Sequence, residues 1–349
     1  MRRAIELALQ GGKKVFPNPR VGAVILSPEG ETISEGYHAF FGGAHAERNA
    51  LDKAGDVDVT GCTMVVTLEP CSHHGRTPPC AEAIANAGIS RVAAGLTDPN
   101  PLVAGKGISF LRDRGIDVEV GLYSNEIEKL NEVYLHYTAT GRSFLHLKMA
   151  GTIDGRSAAA DGSSRWITGE ESRTRVHEFR RDSHAVLIGI GTAVADNPEL
   201  TARNVDCPDE DQPVRIIIGS KEMPHHLKLF NSPGRTVVVT DKHRDLPESV
   251  EVWQGIETLA QLLAKTAEEG LGLILCEGGG SLAASLLKEH LVDRLSIFTA
   301  PAVLGSTGFP LMGDLGIGNI GDILRMENVK VTRIGEDILT EGRVVYRAD

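Results

Sequence analysis

The sequence predicts an α/β protein of two domains, each built on a mostly parallel sheet that is covered by helices. Three observations support this fold class. The chain has 349 residues, which is long for a single hydrophobic core. Helical and strand-like patterns alternate along almost the whole sequence. Such alternation is typical of strand–helix–strand units, in which helices cover the faces of a parallel sheet.

The first half shows this alternation clearly. Short apolar or β-branched runs predict strands, and the stretches between them have helical periodicity and often end at glycine. The runs near the start also allow an antiparallel hairpin at the sheet edge. We expect strands at 21–26, 63–68, 91–95 and 117–120, and helices at 2–10, 46–54, 80–87, 106–114 and 125–137.

A second alternating series follows the Thr140-Gly141 pair, where the last helix of the first half ends. We therefore expect a domain of residues 1–143 and a domain of residues 144–349. The expected strands of the second domain are 144–149, 185–190, 214–218, 236–240, 273–276, 294–300 and 338–347, and its helices are 171–181, 258–268 and 282–289.

Composition restricts the class of protein. Lysine and arginine total 36 against 47 aspartate and glutamate, so the formal charge is −11. A protein that follows a phosphate backbone usually has a basic face, so nucleic acid is not an expected partner. No apolar run approaches the roughly 18 residues that suggest a membrane helix. Five cysteines, an odd number, argue against a disulfide framework and favour a reducing, cytoplasmic setting.

The strongest chemical signal is a set of zinc-type ligands in the first half. His45 is followed two residues later by Glu47, and Cys71 and Cys80 each follow a proline. One imidazole and two thiolates suit a catalytic zinc, which keeps its fourth position for a water that it makes nucleophilic. Glu47 is placed to carry protons between that water and a leaving amine. The alternative is a structural zinc site with a fourth ligand from His73 or His74, which would leave Glu47 without a role.

The spacing of the cysteines departs from the general pattern. The signature H-x-E…P-C-x-x-C is typical of zinc nucleobase deaminases. Here eight residues separate Cys71 from Cys80 instead of two. The inserted loop carries Arg76, a cation that could hold a substrate phosphate.

With these motifs the chain resembles the riboflavin-biosynthesis bifunctional deaminase–reductases. The resemblance rests on residues 17–22 (PNPRVG), 45–47 (HAE) and 67–80 (TLEPCSHHGRTPPC), in which the long cysteine spacing is typical of the family. It implies a cytidine-deaminase-like three-layer αβα domain that binds Zn²⁺ and uses Glu47 as proton carrier. It also implies that Asn18 contacts the pyrimidine ring, that Arg76 lies near the ribose phosphate, and that zinc is held by His45, Cys71 and Cys80.

The second half carries four further segments, at 148–156, 164–168, 189–198 and 277–281; the second precedes a predicted helix and the other three follow or overlap a predicted strand. The glycine triplet in the last segment would let a phosphate approach the start of a helix, but it equally fits a tight strand–helix turn. The fingerprint G-x-G-x-x-G is absent, so a Rossmann domain is not supported.

These segments resemble the reductase half of the same family, which implies a dihydrofolate-reductase-like α/β domain. The resemblance implies NADPH as cofactor and a phosphorylated pyrimidine as the small-molecule substrate. It also implies pairing of the chain with further copies through this domain. Trp166 could instead be a core aromatic residue. The implied cofactor-binding residues are Ala150, Trp166, Thr192, Asp196, Gly278, Gly279 and Gly280, and the implied substrate-binding residues are Lys148, Ser164, Arg180, Leu200, Arg203 and Glu277.

Two other classes of protein share part of this pattern. A nucleic-acid deaminase would have the same zinc ligands but would need a basic footprint and salt-sensitive RNA binding. A non-catalytic binding protein with one decayed half would not need the intact zinc ligands. We therefore expect a two-step enzyme. It would deaminate 2,5-diamino-6-ribosylamino-4(3H)-pyrimidinone 5′-phosphate and then reduce the ribosyl side chain to ribityl with NADPH, giving 5-amino-6-ribitylaminouracil 5′-phosphate.

Overall fold

The computed structural model describes residues 1–72, 78–100, 103–242 and 245–346. The chain divides into two compact units, Met1–Gly141 and Arg142–Asp349. This division lies two residues before the boundary expected from the sequence. Each unit contains its own sheet and its own hydrophobic clusters.

The first unit is built on a five-stranded sheet in the order β2-β1-β3-β4-β5. Strand β1 pairs antiparallel with both β2 and β3, whereas β3, β4 and β5 are parallel. The expected hairpin at the edge is therefore confirmed. The elements are α1 (Arg2–Leu9), β1 (Gly22–Leu26), β2 (Thr32–Tyr37), α2 (Ala46–Ala54), β3 (Thr63–Leu68), α3 (Cys80–Asn86), β4 (Arg91–Leu96), α4 (Lys106–Asp113), β5 (Asp117–Val120), α5 (Ser124–Leu130) and α6 (Glu132–Thr140).

Helices cover both faces of this sheet, which makes the unit a three-layer αβα structure. The central strand β3 is buried from Met64 onward. Met64 and Val66 pack in the cluster that includes residues of α2, α3 and α4, whereas Val65 points to the other face and packs with Leu7 of α1. Since successive side chains of a strand point to opposite faces, a strand covered on both faces is apolar without alternation.

The second unit is built on a nine-stranded sheet in the order β11-β10-β9-β8-β12-β6-β13-β16-β15. The strands from β11 to β13 are parallel, and β16 and β15 close the sheet as an antiparallel pair. The elements are β6 (Phe144–Thr152), β7 (Arg156–Ala158), α7 (Glu170–Asp182), β8 (Ala185–Gly189), α8 (Ile190–Asp196), β9 (Val214–Ile218), β10 (Thr236–Val239), β11 (Val250–Trp253), α9 (Leu259–Glu268), β12 (Leu273–Cys276), α10 (Gly280–Lys288), β13 (Arg294–Ala300), β14 (Phe309–Pro310), β15 (Arg325–Ile334) and β16 (Asp337–Val345).

This sheet is also covered on both faces. Leu187 of β8 packs in a cluster with residues of α9 and α10, and its neighbours Val186 and Ile188 pack in a cluster with residues of α7 and α8. The carboxyl ends of β8 and β12 lead directly into α8 and α10. Ligand sites of α/β proteins form at such strand ends.

Some sequence-based expectations differ from the structure. The expected helix at 125–137 is two helices, α5 and α6, which meet at Asn131. The Asn131 side chain bonds both the amide and the carbonyl of Arg20, so a tertiary contact holds the chain at this break. Helix α8 and strands β7, β11, β14 and β15 were not expected. Within the described residues, no helix is both long enough and apolar enough to cross a membrane.

Candidate functional site

The expected zinc ligands of the first unit lie together. His45 is the N-cap residue of α2, Cys71 follows β3, and Cys80 is the first residue of α3. The Nδ1 atom of His45 lies 3.5 Å from Sγ of Cys71 and 3.4 Å from Sγ of Cys80. Zinc bonds of ordinary length at tetrahedral angles would separate nitrogen and sulfur by about 3.6 Å. The three side chains therefore fit a zinc ion, and they form a possible metal-binding group in the described residues.

The surroundings favour a thiolate at this site. The backbone N–H of Cys80 donates to Sγ of Cys71 over 3.4 Å. Hydrogen bonding from the Cys80 side chain and from His45 lowers the pKa of Cys71 well below that of an ordinary thiol, against the opposing effect of its burial. Metal ligands must be deprotonated, so this environment prepares Cys71 for a cation.

Glu47 lies beside the ligands, as expected from the sequence. It is the second residue of α2 and only 3% exposed. It lines a cavity of about 380 Å³ together with His45 and Cys71. Burial and the nearby Cys71 charge raise the pKa of Glu47 to about 7. A carboxyl group with a pKa near neutrality can both accept and donate a proton.

Asn18 lines the same cavity and is oriented by His38. The Nδ1 atom of His38 lies 2.9 Å from the carbonyl oxygen of Ala44 and must donate to it, so Nε2 is the acceptor for the Asn18 amide N–H at 3.1 Å. Burial lowers the pKa of His38, which keeps this ring neutral. The remaining amide oxygen of Asn18 can then accept a hydrogen bond from a ligand. His38 thus has a positioning role that the sequence did not reveal.

Sequence reasoning missed a further polar group in this cavity. Asp98 and Asn100 follow β4, and Tyr134 comes from α6; all three line the cavity. The Tyr134 hydroxyl donates to Oδ1 of Asp98 over 2.7 Å. The sequence did offer a signal for Asp98, because this residue lies just after a predicted parallel strand, as Cys71 does. Tyr134 lies far along the sequence from the other cavity residues, and no sequence pattern indicated that it would line the cavity.

Residues 73–77 of the inserted loop between the two cysteines lie outside the described residues. This applies to Arg76, which we expected near a substrate phosphate, and to His73 and His74, the alternative fourth ligands of a structural zinc site. Their roles stay predictions.

The second unit contains a cavity of about 1260 Å³ at the carboxyl ends of its parallel strands. Typical small-molecule sites measure roughly 300–1,000 Å³, so there is room for a dinucleotide and a second ligand. All the residues that the resemblance implies for cofactor and substrate line it: Lys148, Ala150, Ser164, Trp166, Arg180, Thr192, Asp196, Leu200, Arg203, Glu277, Gly278, Gly279 and Gly280.

Arg180 and Glu277 form a bidentate ion pair in this cavity. Nε and Nη2 of Arg180 donate to the two carboxylate oxygens over 2.6 and 2.9 Å, and Nη1 donates to the carbonyl of Thr201 over 3.1 Å. Burial would raise the pKa of Glu277, but Arg180 and Lys148 more than offset this and lower it. Since a guanidinium has five N–H groups, two remain for a ligand within the described residues.

Lys148 lies on β6 next to this pair. Its ammonium is 5.7 Å from the centre of the Phe298 ring. Burial lowers the pKa of Lys148, and the Arg180 charge acts in the same direction, whereas Glu277 opposes both. The group therefore combines two cations and one anion, which suits a phosphorylated sugar with hydroxyl groups.

The glycine triplet serves both packing and the cavity. A Cβ on Gly280 would lie 3.1 Å from backbone atoms of Leu311 and Gly313, and one on Gly278 would meet the Leu282 side chain at 2.6 Å. Gly279 is the N-cap of α10 and has no side chain to bond the first N–H groups. That helix start lines the cavity, where it can attract a phosphate. The donor set and the space therefore fit a dinucleotide cofactor.

The remaining expected residues occupy the mouth and walls of this cavity. Trp166 is 71% exposed, so the alternative that it is a core aromatic residue is wrong. The guanidinium of Arg173 lies 4.6 Å from the centre of its ring. Leu200 is 2% exposed and packs in the core, with a left-handed backbone at φ 58°. Arg203 forms an ion pair with Glu199.

Comparisons with known proteins agree with this division of the chain. The "RibD C-terminal domain" family matches residues 143–340, and the "Cytidine and deoxycytidylate deaminase zinc-binding region" matches residues 1–96. Among curated proteins, "Riboflavin biosynthesis protein RibD" of Aquifex aeolicus is 41% identical over 97% of this chain and 96% of its own length. The protein of the same name from Escherichia coli is 38% identical over 97% of this chain and 96% of its own length.

Solved structures show the same similarity across both units. A diaminohydroxyphosphoribosylaminopyrimidine deaminase/5-amino-6-(5-phosphoribosylamino)uracil reductase from Thermotoga maritima is 36% identical, with a TM-score of 0.87 over 98% of this chain and 97% of that chain. Acinetobacter baumannii RibD is 35% identical, with a TM-score of 0.87 over 99% and 98% of the two chains. The expected fold class, a deaminase-like unit followed by a reductase unit, is confirmed. The chain belongs to the RibD family of bifunctional deaminase–reductases of riboflavin biosynthesis.

Proposed function

We propose that the first unit hydrolyses the 2-amino group of 2,5-diamino-6-ribosylamino-4(3H)-pyrimidinone 5′-phosphate. Water adds at C2 and ammonia leaves, which gives the uracil form. The second unit then reduces the ribosyl side chain to ribityl with NADPH. The observation that carries this proposal is the convergence of His45, Cys71 and Cys80 at the cavity that the buried Glu47 lines.

In the first reaction, His45, Cys71 and Cys80 would hold zinc. When bound, zinc supplies the positive charge that makes water nucleophilic at neutral pH. Glu47 accepts the proton of that water at its carboxylate and donates it to the departing amine. The amide oxygen of Asn18, directed by His38, accepts a hydrogen bond from a ring N–H. Burial of Glu47 excludes bulk water, so the proton stays with the reacting atoms.

In the second reaction, NADPH supplies the hydride that C1′ of the ribose receives. The start of α10 at Gly279 would hold a phosphate of the cofactor. The two free N–H groups of Arg180 would bind the substrate phosphate, and Glu277 would accept hydrogen bonds from sugar hydroxyl groups. The residues thereby orient the two reactants, which is the main demand of a hydride transfer.

The test is a Glu47→Gln variant. Gln keeps the size of the side chain but cannot carry the proton. We expect ammonia release to fall by about 10²–10⁴-fold. NADPH oxidation with the uracil form supplied directly should stay unchanged, and so should the zinc content. Glu31→Gln, on an exposed turn, is the matched control. Deamination by E47Q at a rate near that of the unmodified enzyme would contradict the role of Glu47.

We further propose that copies of the chain pair through the second unit and that the enzyme works in the cytoplasm. Strand β15 lies at the edge of its sheet, and Val331 is 65% exposed there. Ile338 of the neighbouring strand is on the same face and 45% exposed. An apolar sheet edge of this kind favours association. The five cysteines form no disulfide with one another, which supports a reducing compartment. Sedimentation of the intact chain tests the pairing.

A further inference from the structure

The start of helix α4 lacks a cap of its own. Its N-cap residue is Gly105, in a left-handed conformation at φ 80°, and glycine has no side chain to accept the first N–H groups. The backbone N–H of Lys106 is satisfied locally by the carbonyl of Val103. The N–H groups of Gly105, Gly107 and Ile108 need other partners, because unpaired groups at a helix start are costly.

Glu69 supplies those partners from 36 to 39 positions earlier in the chain. Its Oε1 accepts the N–H of Gly107 at 2.9 Å and that of Ile108 at 3.2 Å. Its Oε2 accepts the N–H of Gly105 at 2.9 Å and that of Asp98 at 3.2 Å. A carboxylate offers about four acceptor positions, so these four bonds use all of them.

Glu69 is a buried carboxylate. It is 4% exposed, and within the described residues no lysine or arginine forms an ion pair with it. Its charge is stabilised by the four N–H groups and by the positive end of the α4 dipole. All acceptor positions of the side chain are thus used by hydrogen bonds from the surrounding backbone, and none is left for a substrate.

The segment that contains Glu69 also packs closely against the start of α4. A Cβ added to Gly107 would lie 1.8 Å from the carbonyl oxygen of Pro70. Pro70 stands between Glu69 and the zinc ligand Cys71. The chain from Glu69 to Cys71 therefore cannot shift without moving the helix start and the loop before it. That loop carries Asp98 and Asn100, which line the cavity.

We propose that Glu69 is a positioning residue for the deaminase site. Through its four bonds it sets the distance between the zinc ligand Cys71 and the cavity wall at Asp98 and Asn100. The expected effect of Glu69 on deamination of the substrate rests on the proposed function, whereas its expected effect on metal retention does not. Glu69 also lines the cavity, but backbone N–H groups occupy its acceptor positions, so it acts through these residues.

The test replaces Glu69 by glutamine. The new NH₂ group would face two of the four backbone N–H donors, so two of the bonds are lost. We expect E69Q to release zinc to a chelator about 10- to 100-fold faster, and kcat/KM for deamination to fall by a similar factor. KM should account for part of that loss, because the cavity wall moves. Hydrogen exchange at 105–108 should speed up, while NADPH-dependent reduction in the same chain stays unchanged.

Ser34→Ala is the matched control. Ser34 is also buried in the first unit, and its hydroxyl donates to the carbonyl of Ala50 over 2.8 Å, but it does not line the cavity. We expect a lower melting temperature with unchanged zinc release and KM. If E69Q is insoluble, Glu69→Asp, which reaches only one pair of donors, should show a smaller change in the same direction.

The proposal is overturned if the Glu69 variant keeps zinc release and kcat/KM within about twofold of the unmodified enzyme. It is also overturned if Ser34→Ala produces the same losses. An unmodified enzyme that releases no ammonia from the diaminopyrimidine would refute the proposed function instead. The comparison of zinc release would then still decide the role of Glu69.

Discussion

Replacing Glu277 by glutamine should strongly destabilise the second unit. The carboxylate and Arg180 are 9% and 13% exposed, so the pair is buried. The variant would leave the Arg180 charge without its counter-ion and next to the ammonium of Lys148, whose charge also interacts with Glu277. Removing one partner of such a buried pair costs about 3–5 kcal/mol. With a urea m-value of about 2–3 kcal/mol per M, the unfolding midpoint should fall by about 1–2.5 M.

Tryptophan fluorescence is a selective assay for this effect. The chain has two tryptophans, Trp166 and Trp253, and both belong to the second unit. Urea unfolding followed at these residues therefore reports the second unit and not the first. The pKa of Glu277 is lowered in the folded state from a reference value of 4.5. The contribution of the pair is accordingly present above that pH and is lost as the pH falls through the folded-state pKa.

A double variant separates the uncompensated charge from lost packing. Arg180→Leu combined with Glu277→Leu removes both charges and keeps an apolar side chain at each position. Since apolar replacement of a whole buried pair is often nearly neutral, we expect this variant to recover most of the stability lost in E277Q. A loss below about 1 kcal/mol in E277Q would refute the reasoning, because it lies within the range of a solvent-exposed pair.

Two further variants test the pH dependence and the packing. Burial lowers the pKa of His146 to about 3, so the ring stays neutral in the folded state while the unfolded chain binds a proton below about pH 6.5. Protonation of this residue in the unfolded chain should lower the stability by about 2 kcal/mol between pH 7 and pH 5. In His146→Gln the urea unfolding midpoint should therefore depend less on pH over that range. A variant of the exposed His226 is the control. Gly107→Ala should destabilise the first unit by several kcal/mol, because the new Cβ would collide with Pro70. Gly318→Ala, where a Cβ has no neighbour within 4 Å, should change the melting temperature little; equal effects of the two glycine variants would contradict this reasoning.

Much of the fold could be predicted because the local signals agree with the tertiary environment. The expected strands at 63–68, 117–120 and 294–300 have the same bounds in the structure. The first is an apolar or β-branched run, and in the other two apolar residues are interspersed with polar ones. The expected start of α3 at Cys80 is also confirmed. A strand that buries few side chains lacks the apolar pattern that predicts a strand. In β15, which was not expected, Val329 and Val331 are 50% and 65% exposed.

The candidate site was predictable where chemistry and spacing coincide. His45, Glu47, Cys71 and Cys80 are residue types that zinc chemistry requires, and each follows or begins a recognisable element. Their convergence depends only on the order of parallel strands and helices, which the alternating pattern already implies. The sequence by itself therefore determined the two-unit α/β architecture, and it predicted metal ligands and a proton carrier that the structure brings close together.

The tertiary structure decided how those side chains are held. The bond from Asn18 to His38, the break at Asn131, the four bonds of Glu69 and the pairing of Arg180 with Glu277 join residues 20 to 111 positions apart. A hydrogen bond depends on distances and angles that no local pattern encodes, because packing of the whole unit sets which groups meet. For this reason the sequence could name Arg180 and Glu277 as separate ligands, and only the folded chain showed that each is the partner of the other.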